Sequence, residues 1–235
     1  MRLKHLATTA LAFALLLPAG LPRGAAAAPL YVSQMQMSNG SETVRMVGSH
    51  FGSGTDVQAG QMTLTANNGT TDNPAGRFSL LAWCMDIFHT ITTGTLSLVY
   101  QTGAPAQNGN GVALSAQQVA QIGWLAAYGN AALAAGPNAA LSAAVQIKIW
   151  NVEYGTSYGG SNAAILGHLS ALGSLLPASP QNLQITGLLA QPNAHGVSAQ
   201  SLVTAVAVPE PASVALFAVG LAGLGLLRRR RAAMA

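Results

Sequence analysis

Short segments with apolar residues at alternate positions, separated by glycine and asparagine, make up much of the first half of the chain. They span residues 43–51, 60–67, 76–88 and 94–103. A period of two predicts β-strands. Both faces of segment 76–88 are apolar, so this segment is predicted to be a buried central strand. Segment 94–103 follows it and is predicted to be its hairpin partner.

Helical spacing replaces this alternation in the second half. The first helix is predicted to begin at Ser115, because Ser115 and Gln118 match a capping box, and to end at Gly129. Two further helices are predicted over residues 139–154 and 162–176.

Strand-like patterns return in segments 183–190 and 199–207. The order of the elements predicts the α+β class, as an antiparallel sheet or sandwich with a three-helix insertion. We expect the strands before Gly103 and after Gln181 to share a sheet, with the helices packed as one block.

Residues 1–27 have the organisation of a secretory signal peptide. Arg2 and Lys4 precede an apolar core over residues 6–17, and small residues at Ala25–Ala27 match a cleavage site. We therefore expect Sec-type export, removal of the segment by signal peptidase, and transit through the inner membrane and periplasm. An uncleaved anchor is the alternative interpretation.

Residues 208–235 combine a short proline motif, an apolar stretch over 212–227 and a basic cluster. The motif is Val208, Pro209, Glu210 and Pro211, and the cluster is Arg228, Arg229, Arg230 and Arg231. This combination resembles the PEP-CTERM sorting signal. The resemblance implies a short transmembrane helix that holds the chain in the membrane until an exosortase processes it. It also implies a final location at the cell surface or in the extracellular matrix. A plain C-terminal anchor is the alternative.

The exported domain is therefore expected to span residues 28–207, and its charge differs from that of the whole chain. Only Arg45, Arg77 and Lys148 are basic there, against five acidic residues, so the basic isoelectric point belongs to the two ends. Nucleic-acid binding requires a clustered basic face, which this segment lacks. That class of partner is excluded.

Cys84 is the only cysteine of the chain, although exported cysteines usually pair. The segment Trp-Cys-Met-Asp-Ile-Phe at 83–88 resembles the cysteine segment of bacterial surface thioester domains. The segment Ala-Ala-Val-Gln-Ile-Lys-Ile-Trp at 143–150 resembles their glutamine helix, with Val145 and Lys148 departing from the family pattern. The resemblance implies an internal thioester between Cys84 and Gln146, and attachment to amines of a surface.

A thioester needs a dry pocket and a thiol of lowered pKa. Trp83 and Trp150 could shelter it, Lys148 or His89 could supply the cation, and Asp86 lies three residues before His89. We expect Cys84 and Gln146 to meet across a strand–helix interface. In the alternative interpretation these two residues only pack, within a structural matrix protein associated with the exopolysaccharide of a biofilm.

Catalysis and metal binding have weaker support in the sequence. Cys84, Asp86 and His89 could form a cysteine hydrolase site, but a continuous strand would direct Asp86 and His89 to opposite faces. The histidines have no metal-ligand spacing. We therefore predict a non-enzymatic adhesion or interaction domain without a cofactor.

Overall fold

The computed structural model describes residues 28–48, 52–89, 93–155, 158, 162–178, 183–190 and 200–207. The strands within these ranges are β1 Pro29–Met37, β2 Glu42–Gly48, β3 Gly52–Ala59, β4 Met62–Asn68, β5 Phe78–Cys84, β6 Gly94–Gly103, β7 Leu183–Ala190 and β8 Leu202–Ala207. The helices are α1 Ala116–Ala135, α2 Ala139–Tyr154 and α3 Ala163–Leu175. A single 3-10 turn, Pro74–Gly76, precedes β5.

Six of the strands form one closed antiparallel barrel in the order β1-β4-β5-β8-β7-β6, with β6 returning to β1. The α+β class, the antiparallel pairing and the three-helix insertion are confirmed. Strands from both ends of the domain share the sheet, as expected, but the sheet is closed and is not an open sheet or sandwich. β2 and β3 form a separate two-stranded ribbon.

The strand β1, which the sequence pattern did not identify, makes closure possible because it pairs with both β4 and β6. Its register shifts between Val32 and Gln34 against both neighbours. Opposite β4 the extra residue is Ser33 of β1, whereas opposite β6 it lies in β6, between Thr95 and Leu98. A bulge of this kind bends a strand and increases its twist. The bend allows β1 to join the two halves of the sheet.

The predicted hairpin between β5 and β6 is wrong. β5 lies between β4 and β8, whereas β6 lies between β1 and β7. β5 is buried only at its end, where Ala82, Trp83 and Cys84 are almost inaccessible to solvent, whereas Phe78 and Ser79 at its start are exposed.

The helices α1 to α3 are inserted between β6 and β7, and α1 packs against β7 and β8. The capping box at Ser115 and Gln118 is present. The predicted end at Gly129 is wrong, since the helix continues to Ala135. A β-carbon at Gly129 would lie 2.5 Å from the Trp83 ring and 3.0 Å from Val145. Gly129 is therefore a point of close packing inside a longer helix.

The helix α2 has its predicted bounds, with Asn138 capping its first turn and Gly155 in the left-handed conformation after its end. All six residues from Ser142 to Ile147 are buried, so α2 is enclosed on more than one side. It packs against α1, α3, β5 and the β2–β3 ribbon. Its buried polar residues, Ser142, Gln146 and Glu153, therefore need partners inside the protein.

None of the helices in the described ranges is long and apolar enough to cross a membrane. The predicted signal peptide, the predicted span over residues 212–227 and the sorting motif with its arginine cluster lie outside the described residues.

Candidate functional site

The strands β4 and β5 separate at one end of the barrel, and α2 lies at the point of separation. Their pairing stops at Met62 and Ala82. Beyond it, the backbone N–H of Gln61 donates to the Ser142 hydroxyl at 2.8 Å. One helical turn later, the Gln146 side chain forms hydrogen bonds with the backbone N–H and carbonyl of Cys84. Residues four apart on a helix share a face, so one face of α2 supplies hydrogen-bond partners for the backbones of both strands where they separate.

Both polar atoms of the Gln146 carboxamide form hydrogen bonds with the backbone of Cys84. Its Oε1 accepts from the Cys84 N–H at 2.9 Å, and its Nε2 donates to the Cys84 carbonyl at 2.8 Å. Both residues are buried. The side chain thus replaces the next rung of the β4–β5 ladder, and it places its carboxamide beside the backbone of Cys84.

The chain turns sharply directly after Cys84, over residues 85–89. The Cys84 sulfur accepts from the Asp86 N–H at 3.4 Å and donates to the Asp86 carbonyl at 3.3 Å. The Asp86 carboxylate accepts from the N–H groups of Phe88 and His89 at 3.0 and 3.2 Å. Its other oxygen lies 2.5 Å from His89 Nδ1. The expectation that Asp86 and His89 face apart is wrong, because β5 ends at Cys84 and a turn follows.

A cavity of about 500 Å³ opens between these elements. Residues 55–58 of β3, residues 87–89 of the turn, and Gln146 and Trp150 of α2 form its walls together with Cys84. Met37, Gly60, Met62 and Gln200 complete the lining. The candidate pair therefore borders a mostly apolar cavity with the Asp86–His89 pair at its edge.

The expectation of a thiol with a lowered pKa is wrong. Burial raises the pKa of the Cys84 thiol well above its ordinary value, and the charges of Glu153 and Asp86 act in the same direction. The backbone hydrogen bond from Asp86 opposes this rise. The Trp150 indole N–H opposes it weakly, although it makes no hydrogen bond of normal geometry within the described residues. Cys84 is consequently a neutral thiol at pH 7.

Glu153 lies behind Cys84, and burial raises its pKa to about 9. Its Oε1 accepts from the Gly109 N–H at 3.3 Å, and Oε2 has no hydrogen-bond partner in the described part of the chain. The Tyr154 hydroxyl accepts from the same N–H and donates to the Met85 carbonyl at 3.4 Å. The loop that contains Gly109 therefore encloses this side of the site.

The structure brings together Cys84, Gln146, Asp86, His89 and Trp150 from the sequence-based site. Trp83 points away from the cavity, with its indole nitrogen donating to Asn130 of α1 at 2.9 Å. Lys148 lies towards α3, where its Nζ is 3.5 Å from the position that a β-carbon on Gly173 would occupy. Neither residue lines the cavity.

Sequence reasoning missed Ser142, Gln200 and Glu153. Gln200 donates a hydrogen bond to the Asp86 carbonyl and also lines the cavity. Ser142 and Glu153 gave a signal that could have found them, because each interrupts the apolar residues of α2 on or near the Gln146 face. Gln200 gave none, since its segment reads only as the approach to a strand.

A family model for the PEP-CTERM protein-sorting motif matches residues 207–231. No curated protein and no solved structure matches the chain. The motif indicates an exported protein that is sorted by an exosortase and has a cell-surface or membrane-associated fate.

Proposed function

We propose that the exported domain forms an internal thioester between Cys84 and Gln146 and uses it to attach the protein covalently to an amine-bearing surface. The contact that supports this proposal is the pair of hydrogen bonds between the Gln146 carboxamide and the Cys84 backbone. Sorting to the cell surface supplies the setting, because a protein displayed there meets surface amines.

The hydrogen bond that Gln146 Oε1 accepts favours attack on the carboxamide carbon. The Cys84 N–H, 2.9 Å from Oε1, can stabilise the negative charge that develops on this oxygen when the sulfur attacks. Holding two reacting groups together can replace several kcal/mol of activation, on the order of 7 kcal/mol or more in well-aligned cases. An approach of the Cys84 sulfur to the Gln146 carboxamide carbon has to offset the low thiolate population that follows from the raised pKa of Cys84.

The reaction is balanced within the chain. The sulfur bonds to the Gln146 carbonyl carbon, the C–N bond breaks, and the amide nitrogen leaves as ammonia with the thiol proton. The burial of both residues limits the access of water, which would otherwise hydrolyse the product. A single cysteine is sufficient for this chemistry.

A second candidate function is a non-reactive structural protein of the extracellular matrix. The same Gln146 contact favours it, because a side-chain amide that completes the ladder of β5 stabilises the fold without any reaction. The two proposals predict the same hydrogen bonds before any bond formation and differ in covalent structure.

Mass spectrometry of the full chain, isolated from cells that export it, separates the two. A thioester leaves the protein lighter by one ammonia, and peptide mapping finds the Cys84 and Gln146 peptides joined. Methylamine then adds its own mass at Gln146 and exposes one free thiol. A Cys84→Ala chain is the matched control, with full mass and no methylamine uptake. A wild-type chain at full mass, with peptides that are not joined, would refute the thioester.

A further inference from the structure

We propose that His89, oriented by Asp86, is the proton-transfer residue for opening the thioester: it takes the proton of the attacking amine and delivers it to the Cys84 sulfur. This inference rests on the proposed function, since it assigns a catalytic residue to that reaction. It is carried by the Asp86–His89 pair and its position at the edge of the cavity that Cys84 and Gln146 line.

The Asp86 carboxylate fixes the orientation and the tautomer of the His89 ring. His89 Nδ1 lies 2.5 Å from Asp86 Oδ2, while Asp86 Oδ1 accepts two backbone N–H groups of the same turn. The carboxylate accepts the Nδ1 proton, so Nε2 is the ring's basic atom. The Asp86 side chain is only 5% exposed and that of His89 is 43% exposed. The carboxylate is therefore anchored inside the protein, whereas the base remains accessible from the cavity.

Opening of the thioester by an amine requires a group that transfers a proton. An amine becomes positively charged when it attacks and must lose a proton before the new amide is stable. The departing sulfur is a poor leaving group at this position, because burial and nearby carboxyl groups raise the pKa of Cys84. A single base that later acts as an acid solves both problems, and such residues typically contribute on the order of 100-fold or more to a rate.

The step balances without another reactant. The amine nitrogen bonds to the Gln146 carbonyl carbon, and its proton moves to His89 Nε2. The C–S bond then breaks, and the same proton passes to the Cys84 sulfur. The products are a substituted Gln146 amide and a neutral thiol. The new amide retains one N–H, which can again donate to the Cys84 carbonyl as Nε2 does before the reaction.

The test compares methylamine uptake by the exported full chain and its His89→Asn and His89→Ala variants. Asparagine places an amide N–H where Nδ1 lies, so it can still donate to Asp86 but cannot act as a base, and the turn is preserved. We expect both variants to show the ammonia mass deficit and to incorporate methylamine about 100-fold more slowly. Added imidazole should restore the rate of His89→Ala, which a purely structural role would not predict. His168→Ala, on α3, is the matched histidine control and should react at the wild-type rate.

The failures of the two proposals are distinguishable. If the mass deficit is present and His89→Asn reacts as fast as the wild type, the role of His89 is wrong and the thioester stands. The same conclusion follows if imidazole leaves the slow rate of His89→Ala unchanged. If the wild type has no mass deficit, the thioester is wrong and the role of His89 is overturned with it.

Discussion

Replacing Glu153 by glutamine should stabilise the protein in a way that depends on pH. Glu153 is 1% exposed, one of its oxygens has no hydrogen-bond partner in the described ranges, and Asp86 lies close enough to repel its charge. Burial, followed by this repulsion, raises its pKa from 4.5 to about 9. The native protein therefore keeps Glu153 protonated at pH 7, whereas the unfolded chain ionises it.

The sign and size follow from proton linkage. Below the unfolded pKa both states are protonated, and Glu153 has no effect on the pH dependence of stability. As the pH rises from there towards the folded pKa, the unfolded state binds fewer protons, and the free energy of unfolding falls by up to about 1.4 kcal/mol per pH unit. Between roughly pH 4.5 and pH 7 the loss reaches about 3 kcal/mol as an upper limit.

Urea unfolding of the wild type and Glu153→Gln at about pH 5, 7 and 8 measures this loss. Glutamine is neutral throughout and can still accept from the Gly109 N–H, so we expect equal stability at the lowest pH and an increasing advantage for the variant above it. A constant difference across the three pH values would refute the argument. A variant that is less stable at pH 8 would show that Glu153 is ionised and has a partner.

Two further predictions test the packing around α1. Gly129→Ala should destabilise the protein by about 1–3 kcal/mol, because its β-carbon would lie 2.5 Å from the Trp83 ring. Gly167→Ala, on α3 with no atom within 4 Å, is the matched control and should stabilise by up to about 1 kcal/mol. If the two variants shift the thermal unfolding temperature in the same direction, this argument is contradicted. Asn130→Ala should cost about 3 kcal/mol in urea unfolding. It removes the acceptor of Trp83 and Gln61 and the donor to the Ala205 carbonyl. A loss below about 0.5 kcal/mol would show that water replaces these bonds.

Local signals in the sequence were sufficient for the helices and for most strands. The cap at Ser115 is a property of a few adjacent residues, and the bounds of α2 follow from its helical spacing, so the pattern could identify both. Gly129 shows the limit of this reasoning. Glycine usually weakens a helix, but here the missing side chain makes room for Trp83, which is distant in sequence.

Barrel closure and the partners of β5 could not be predicted, since both depend on pairing between distant segments. β5 looked like the neighbour of the next strand in the sequence, yet Cys84 pairs with Leu202 of β8. The site shows the same division. The pairing of Cys84 with Gln146 followed from two short segments, whereas the raised pKa of the thiol follows from burial that only the fold reveals.

A Gln146→Glu substitution in the Cys84→Ala chain isolates the structural part of the Gln146 contact, because no thioester can form there. An ionised glutamate can accept from the backbone N–H of residue 84 but cannot donate to its carbonyl. At pH 7 the buried charge and the unpaired carbonyl should destabilise the protein by about 3 kcal/mol. Near pH 5 the carboxyl group should be protonated in the native state, so its O–H can replace the lost donor and most of the stability should return. Gln146→Ala in the same background loses both bonds, and we expect its loss to be similar at both pH values. If urea unfolding shows that Gln146→Glu loses the same stability at both pH values, the pair of hydrogen bonds between Gln146 and the backbone of residue 84 does not stabilise this strand–helix contact.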